Sequence, residues 1–344
     1  MAIEAKILLE DLLDGNDLTV ARAGDLLHCL TDESLPPAMG GALLAALRAK
    51  GETAEEVRGL ADTLRELAHD VHLPPELGAA DSVGTGGDGS GSLNLSTGTG
   101  LLAAAAGLPV IKHGNRSVSS KSGSADVLQA LGIPLAPDAN TALACLKDCN
   151  FAFLFAPFFH PAMKSIAPVR GALGVRTVFN ILGPLVNPAA PPFHLIGAFD
   201  LPRARLMAQA LAGMQLQRAF VVHGEPGWDE ATPCGPFALF DVRDGQVTES
   251  QRDPAAFGLP RCRPEDLAGG DAKQNARALE AVLTGGDHGP HRHALLLGAG
   301  LMLEVAGRAP DLATGIEQAA AALDAGAGAA LLHRLREFAA SLEG

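Results

Sequence analysis

Apolar positions in the first 72 residues recur three and four apart, which is the spacing of helices that bury one face. The pattern predicts four helices and contains none of the alternation typical of a strand. Pro36 and Pro37 open the third helix and Gly51 ends it, while Thr53 and Glu56 form a capping box at the start of the fourth. We therefore expect an all-helical N-terminal region.

Short runs rich in β-branched and aromatic residues replace this pattern from residue 79 onward and alternate with helical stretches. The predicted strands cover residues 81–83, 109–112, 151–156, 193–199 and 219–223. The predicted helices among them cover residues 96–106, 124–131 and 203–214. The turn at residues 243–245 joins a hairpin of residues 239–242 and 246–249, and helical stretches follow at residues 272–283, 292–305 and 312–342.

Alternation of strands and helices implies right-handed crossovers and a mostly parallel sheet. The predicted fold class is therefore α/β, with a small all-helical N-terminal domain and a large α/β domain whose central sheet is flanked by helices. With 344 residues, of which 47% are hydrophobic, the chain can bury a sizeable core, which excludes general disorder. The periodicity of residues 168–188 does not decide whether this segment lies with the helices or with the sheet.

The formal net charge of −13 argues against polyanionic partners such as nucleic acid and anionic membranes. A non-specific binder of nucleic acid or of an anionic membrane needs a cationic surface, so any polyanion site in this chain must be local. The five cysteines are scattered and odd in number, which indicates reduced thiols. Because the N-terminus lacks the features of a signal peptide and no apolar run is long enough to span a membrane, we expect a cytoplasmic protein.

A glycine-rich segment follows the first predicted strand. Residues 84–91 contain five glycines in eight residues, and a helix is predicted to begin near Ser96. Glycines let backbone N–H groups converge on an anion, and a helix N-terminus adds donors and a positive dipole. The hydroxyls of Ser96 and Thr97 extend this set. Ligands of open α/β sheets bind at such strand ends, so an anion site is favoured over a flexible surface turn.

A second donor-rich segment, residues 112–124, follows the next strand and should open at the same sheet edge. Its cations are Lys112, Arg116 and Lys121, and several hydroxyls and the Asn115 amide accompany them. In a chain of net charge −13, this concentration favours a ligand that carries phosphate and hydroxyl groups over a merely solvated basic loop.

Two further segments carry charged groups that could either bind a ligand or simply lie at the surface. Arg170 has the fork that clamps a carboxylate, although a lone arginine more often forms a surface ion pair. Asp229 and Glu230 follow the strand that ends at His223, where two carboxylates could hold Mg²⁺ or simply form an exposed acidic turn. The phosphate-binding segments favour the Mg²⁺ hypothesis, because Mg²⁺ usually bridges carboxylate and phosphate.

Together these segments resemble the anthranilate phosphoribosyltransferase family. The resemblance is dense from residue 81 to residue 230, and its phrases stand in family order. They are G-T-G-G-D at 84–88, K-H-G-N-R-S-V-S-S-K-S-G-S-A-D-V-L at 112–128, H-P-A-M-K at 160–164, P-V-R at 168–170, F-N-I-L-G-P-L at 179–185, V-V-H-G at 221–224 and D-E at 229–230. Residues 228, 171 and 158–159 depart from the family pattern, outside the phosphate-binding motifs.

The resemblance implies a class II nucleoside phosphorylase-like fold with a helical dimerisation domain of residues 1–74 plus about 168–188. The α/β phosphoribosyl-binding domain would comprise residues 75–167 and 189–344, and the chain would form a homodimer. The implied reaction transfers 5-phosphoribosyl from phosphoribosyl pyrophosphate (PRPP) to the amino group of anthranilate, with Mg²⁺ as cofactor and pyrophosphate as product. This is the second step of tryptophan synthesis from chorismate. Nucleic acid and membrane are not expected partners.

The resemblance also assigns residues to each ligand. PRPP would be bound by Gly84, Gly87, Asp88, Ser92, Asn94, Leu95, Ser96, Thr97, Lys112, His113, Gly114, Asn115, Arg116, Ser117, Val118, Ser119, Ser120 and Ser124. Anthranilate would contact Gly84, Asn115 and Arg170, and Mg²⁺ would be held by Ser96, Asp229 and Glu230. No dedicated catalytic residue is expected, because electrostatics and positioning suffice for an easily lost aniline proton; His113 is the candidate for a polar helper.

Three other functions agree less well with the sequence. A pyrimidine nucleoside phosphorylase of the same fold would bind inorganic phosphate and a nucleoside, whereas the tandem Asp229-Glu230 and residues 94–97 favour PRPP with Mg²⁺. A non-catalytic nucleic-acid-binding relative would show basic patches and eroded motifs, which this acidic chain does not. A purely structural role would leave the glycine-rich segment unexplained.

Overall fold

A computed structural model of the chain describes residues 2–116 and 121–343. The N-terminal region is helical, as predicted, and its helices are α1 (Ala2–Leu13), α2 (Val20–Thr31), α3 (Pro37–Lys50) and α4 (Ala54–Glu66). Gly51 ends α3 with a positive φ of 93°, which a glycine adopts without steric cost. Thr53 and Glu56 form the predicted capping box at the start of α4.

Across the described residues, the sheet has seven strands in the order β3-β2-β1-β4-β5-β6-β7. They are β1 (Ala80–Gly84), β2 (Val110–Gly114), β3 (Phe151–Phe155), β4 (Phe193–Gly197), β5 (Arg218–Gly224), β6 (Phe237–Arg243) and β7 (Gln246–Arg252). The first five are mutually parallel, and the β6–β7 hairpin is antiparallel. The mostly parallel α/β fold is therefore confirmed. Because the strand order reverses between β1 and β4, a crevice opens at their carboxyl ends.

The helices that follow β1 pack on the faces of this sheet or against the N-terminal bundle. They are α5 (Leu95–Ala105), α6 (Ser124–Ala130), α7 (Ala139–Cys149), α8 (Ala156–Phe159), α9 (Met163–Leu173), α10 (Phe179–Leu182), α11 (Leu201–Ala212), α12 (Ala272–Leu283), α13 (Pro290–Val305), α14 (Leu312–Asp324) and α15 (Ala327–Glu343). The single helical stretch predicted for residues 312–342 is wrong, because Gly326, with a φ of 77°, separates α14 from α15. Within the described residues, no helix is long and apolar enough to cross a bilayer.

Neighbouring side chains of one strand divide between two cores. Phe220 of β5 joins a core with α5 and α13, whereas Val221 joins a core that extends through α4 and α11 into the N-terminal bundle. The segment that periodicity left open, residues 168–188, is largely helical and lies with this second core. Val169 of α9 and Phe179 of α10 pack there, and the Ser165 hydroxyl, also on α9, donates to the carbonyl of Thr31 at 2.8 Å. The bundle is thereby attached to one face of the sheet.

Candidate active site

The two donor-rich segments leave adjacent parallel strands at the same sheet edge, as expected. The glycine-rich segment follows β1 and leads into α5, while the second segment follows β2 and leads into α6. The chain after β5 folds back over these strand ends through a tight turn. In that turn Gly224 and Trp228 exchange backbone hydrogen bonds of 3.0 and 2.9 Å. Asp229 and Glu230 are thereby brought to the crevice between β1 and β4.

Glycines at three strand ends make this approach sterically possible. A Cβ on Gly84 would overlap the carboxylate of Asp229, and one on Gly197 would overlap the backbone carbonyl of Asp229. A Cβ on Gly224 would similarly overlap the carbonyl of Glu230. These three residues end β1, β4 and β5, so the acidic segment lies directly on the sheet edge.

The acidic pair is bonded to both parts of the glycine-rich segment. Asp229 Oδ2 accepts from the Gly86 N–H at 2.6 Å, and Glu230 Oε1 accepts from the Ser96 N–H, in the first turn of α5, at 3.0 Å. The Asp229 N–H donates to Asp88 Oδ2 at 3.3 Å. Three carboxylates therefore converge at the helix N-terminus.

This convergence perturbs the acids. Burial, with the charge of Asp88, raises the pKa of Asp229 to about 7. Burial, with the charge of Asp229, raises the pKa of Glu230 well above its usual value. Among the described residues, neither Asp88, Asp229 nor Glu230 forms an ion pair with a side-chain cation within 4.0 Å. The cluster therefore has carboxylate charge to offer to an external cation.

A buried lysine lies under the same edge. Lys112 is 1% exposed and donates to the carbonyl of Ser82 and, at 3.4 Å, to Ser96 Oγ. Burial lowers the pKa of Lys112, against the opposing charges of Asp81, Glu230 and Asp229. Its ammonium group is thus a fixed donor beneath the start of α5.

Asp81 and Asn187 lock the strands that carry the site, and sequence reasoning did not single out either residue. Asp81 accepts from the His113 N–H at 3.2 Å and from Asn187 Nδ2 at 2.9 Å, and Asn187 also donates to the carbonyl of Ile111. Burial raises the pKa of Asp81 to about 6, although the charge of Lys112 opposes this. A sequence signal did exist, because Asn187 is a polar residue in an otherwise apolar, proline-bounded run.

The His113 side chain lies on the buried side of its strand. Its ring packs edge-to-face on His160, with ring centroids 5.0 Å apart. Burial lowers the pKa of His113 to about 3 and that of His160 to about 4, so both rings are neutral near pH 7. This placement favours a shaping role for His113 over proton transfer.

The second donor-rich segment is only partly described, because Ser117, Val118, Ser119 and Ser120 lie outside the described residues. Arg116 donates to Asp126 Oδ1 at 2.5 Å and to Gln129 Oε1 at 2.9 Å, so its guanidinium is engaged with α6. Asn115 is exposed, and its carbonyl accepts from the Ser124 hydroxyl at 3.1 Å. Gly114 is enclosed by Ser124 and Phe153.

The remaining predicted PRPP residues shape the glycine-rich segment. Asp88 Oδ1 accepts from the N–H and the hydroxyl of Ser90, whose oxygen lies 3.1 Å from the Ser92 hydroxyl. Gly87 has a φ of 73°, a conformation that favours glycine. Leu95 and Thr97 are buried in the first turn of α5, where Leu95 belongs to the core.

Arg170 lies on α9 with its guanidinium half-buried and 4.9 Å from the centre of the Phe179 ring. Burial lowers its pKa, but a guanidinium remains charged at neutral pH. Within the part of the chain that the structure describes, no carboxylate pairs with it at salt-bridge distance. Its fork is therefore free for an external carboxylate.

Arg176 connects the glycine-rich segment to the N-terminal bundle, and sequence reasoning missed it. Its guanidinium donates to the carbonyl of Gly87 and lies 4.2 Å from the centre of the Phe199 ring. The Arg176 carbonyl accepts in turn from Arg48 Nη1, on α3, at 2.5 Å. A conspicuous signal was absent, since Arg176 is one of many arginines in the sequence.

Comparisons with known proteins place this geometry in context. The helical-bundle domain model of a glycosyl transferase family matches residues 6–68, and the a/b domain model of a glycosyl transferase family matches residues 76–329. An anthranilate phosphoribosyltransferase of Desulforudis audaxviator is 46% identical over 330 residues, which cover 96% of this chain and 95% of the relative.

Solved structures agree with these sequence matches. The anthranilate phosphoribosyltransferase of Thermus thermophilus is 39% identical, with a TM-score of 0.90, covering 96% of this chain and 99% of that one. The enzyme of Saccharomyces cerevisiae in complex with PRPP and Mg is 28% identical, with a TM-score of 0.87 and 98% coverage of both chains. The yeast enzyme has also been solved with 4-fluoroanthranilate, with a TM-score of 0.85 and coverage of 98% of this chain and 99% of that one.

Proposed function

The chain belongs to the anthranilate phosphoribosyltransferase family of glycosyltransferases, and from this premise we propose that it transfers 5-phosphoribosyl from PRPP to the amino group of anthranilate. Pyrophosphate is the leaving product, and the reaction serves tryptophan synthesis. The observation that carries the proposal is the meeting of Asp229 and Glu230 with the glycine-rich segment at the N-terminus of α5. This meeting supports a Mg²⁺ site at the two acids, next to a phosphate site at the backbone N–H groups of the glycine-rich segment.

The donor set fits Mg²⁺. Asp229 and Glu230 lie beside Ser96 at the start of α5, and no side-chain cation of the described residues pairs with either carboxylate within 4.0 Å. The two carboxylates and the Ser96 hydroxyl offer the oxygen atoms that Mg²⁺ prefers. Among the described residues, no three His, Cys, Asp or Glu side chains form a complete cage. This agrees with a metal ion held by two carboxylates and completed by substrate phosphates and water. When bound, Mg²⁺ neutralises charge that develops on departing pyrophosphate.

The residues of the chain supply binding and orientation. Backbone N–H groups of the glycine-rich segment, the residues 94–97 and Lys112 bind the phosphates and the ribose, together with Ser117, Val118, Ser119, Ser120 and Ser124. Arg170 holds the anthranilate carboxylate, with Asn115 and Gly84 beside it, so that the amino nitrogen faces the ribose carbon. As pyrophosphate leaves, the aniline nitrogen attacks that carbon and afterwards loses its proton to solvent. His113 is neutral and buried, so its role is to shape the site.

Gly197→Ala tests how the acidic pair is placed. The new methyl group overlaps the Asp229 carbonyl, so the segment must move off the sheet edge, and we expect the Mg²⁺ concentration for half-maximal activity to rise about tenfold, equivalent to ~1.4 kcal/mol. The control is Gly286→Ala, where the added atom meets ordinary contact distances. An unchanged Mg²⁺ requirement for Gly197→Ala would contradict this placement.

Product analysis separates the proposed reaction from nucleoside phosphorolysis. With PRPP, Mg²⁺ and anthranilate, we expect one pyrophosphate released per anthranilate consumed. With inorganic phosphate and uridine or thymidine, we expect no free base. The opposite pattern would assign the chain to the pyrimidine nucleoside phosphorylases of the same fold.

The helical region, residues 1–74 with about 168–188, is proposed as the dimerisation domain, and residues 75–167 and 189–344 as the phosphoribosyl-binding domain. Ile3 and Ile7 of α1 are exposed, and an apolar groove between α3 and α9 is lined by Pro37, Gly41 and Leu173. A second copy of the chain that covers these apolar groups would remove them from water, which supports a homodimer. Sedimentation should give a dimer for the wild type and a monomer for a variant with Ile3→Glu and Ile7→Glu; a wild-type monomer would contradict the proposal.

We also propose that the protein is cytoplasmic and that its ligands are small molecules. The five cysteines are unpaired thiols, which is the state kept by a reducing cytoplasm. A net charge of −13 opposes nucleic-acid binding, so small-molecule substrates are the proposed ligands.

A further inference from the structure

Asn275 is a buried polar residue that the proposed reaction does not yet use. It lies in the first turns of α12, is 3% exposed, and is 181 positions from Asn94, which precedes α5. Residues 267–269 carry the chain there by pairing with the end of the glycine-rich segment. In this pairing the Leu93 N–H donates to the carbonyl of Leu267 at 2.9 Å, and the Gly269 N–H donates to that of Gly91 at 2.8 Å.

The Asn275 carboxamide has one permitted orientation. Its Oδ1 accepts from the backbone N–H of Gly270 at 2.6 Å, and a backbone N–H can only donate. Its Nδ2 must therefore face the other neighbours, which are Asn94 Oδ1 at 2.7 Å and Ser122 Oγ at 3.0 Å.

Asn275 shares in fixing the orientation of Asn94. Asn94 Oδ1 accepts from Asn275 at 2.7 Å and from the Ser122 hydroxyl at 3.4 Å, and Asn94 Nδ2 donates to the Ser122 carbonyl at 3.2 Å. The bond from Asn275 is the shortest of the three. An asparagine at this position usually caps its own helix with the side-chain oxygen, but that of Asn94 makes no such bond. Glu230 takes the Ser96 N–H instead. Among the described residues, Asn94 Nδ2 keeps its second hydrogen for a ligand.

We propose that Asn275 is a positioning residue for PRPP, which holds the Asn94 carboxamide with its N–H, and not its oxygen, toward the phosphate and ribose oxygens. The inference rests on the proposed function. It also explains how the glycine-rich segment and the second donor-rich segment keep one spacing, because Asn275 bonds to Asn94 in the first and to Ser122 in the second.

Asn275→Asp tests the inference, because the aspartate side chain has nearly the same size and shape as that of asparagine. The new carboxylate still accepts from Gly270 but cannot donate to Asn94, so two acceptor oxygens face each other and the Asn94 carboxamide must shift from the orientation that presents its N–H to the anion. We expect the Kd of PRPP, titrated calorimetrically with Mg²⁺, to rise about tenfold, while the KM of anthranilate changes little. Gln274→Ala is the matched control, because it weakens the start of the same helix without touching Asn94 or Ser122, and it should leave the Kd unchanged.

A double-mutant cycle shows whether Asn275 acts through Asn94. Asn94→Ala alone should also raise the Kd about tenfold, and adding Asn275→Asp or the uncharged Asn275→Ala should raise it no further. A hundredfold rise in the double variants, or wild-type affinity in both Asn275 variants, would overturn the inference while leaving the proposed function intact. A wild-type protein that fails to bind PRPP would overturn both.

Discussion

The double variant Asp229→Asn, Glu230→Gln should retain its fold and lose about a thousandfold in kcat at saturating PRPP and anthranilate, which corresponds to ~4 kcal/mol of transition-state stabilisation. The amides keep oxygen atoms that can accept from Gly86 and Ser96 but carry no charge for Mg²⁺. Removing two neighbouring like charges, one buried and one partly buried, also relieves repulsion, so the thermal midpoint without Mg²⁺ should stay the same or rise. Steady-state kinetics and thermal denaturation measure these effects.

The control for this double variant is Glu225→Gln, because Glu225 is an exposed acid in the same turn. We expect wild-type kcat and Mg²⁺ dependence for the control. The account would be contradicted by a double variant with unchanged kcat and Mg²⁺ dependence.

Arg170→Ala should raise the KM of anthranilate about thirtyfold, as expected for the loss of a charge-assisted hydrogen-bonded pair of ~2 kcal/mol, with the KM of PRPP within threefold of wild type. The reason is that the half-buried Arg170 guanidinium stacks on Phe179 and has no described carboxylate partner. Steady-state kinetics with each substrate varied in turn measure the effect. Lys164→Ala, an exposed cation on the same helix, is the control and should change neither constant.

Aniline provides a second readout for Arg170, because it has the nucleophilic amine of anthranilate without the carboxylate. Arg170→Ala and wild-type protein should use aniline with the same low kcat/KM. An equal rise in both KM values, or a loss of aniline turnover as large as that of anthranilate, would show that Arg170 does not hold the carboxylate.

Local patterns were sufficient to predict the framework of the fold. Proline, glycine and the Thr53–Glu56 capping box marked helix boundaries, and the alternation of strands and helices indicated the parallel sheet. Periodicity was insufficient where helices bury unusual residues or follow one another closely. The α9 helix contains Pro168, and Gly326 separates two helices that have similar apolar patterns. Tertiary packing decides such cases.

The sequence was sufficient to predict those parts of the candidate site that depend on residue type. It was less informative about parts that depend on which residues are hydrogen-bonded to each other in the fold. Glycine density, lysine, arginine and the paired acids were visible in the sequence. That Arg116 would pair with Asp126 was not, because either a ligand or a neighbouring helix can engage its guanidinium. Asn187 and Asn275 were missed for a related reason. The sequence marks Asn187 as a polar residue in an apolar run, but it does not show which buried donors and acceptors either asparagine joins.

The most direct measurement of the central claim uses the fluorescence of anthranilate. The protein is mixed with anthranilate, PRPP and Mg²⁺, and matched reactions contain EDTA or omit PRPP. We expect a loss of anthranilate fluorescence that requires both PRPP and Mg²⁺. Unchanged fluorescence in the complete reaction, with PRPP binding intact by calorimetry, would contradict anthranilate as the acceptor and leave only the phosphoribosyl site.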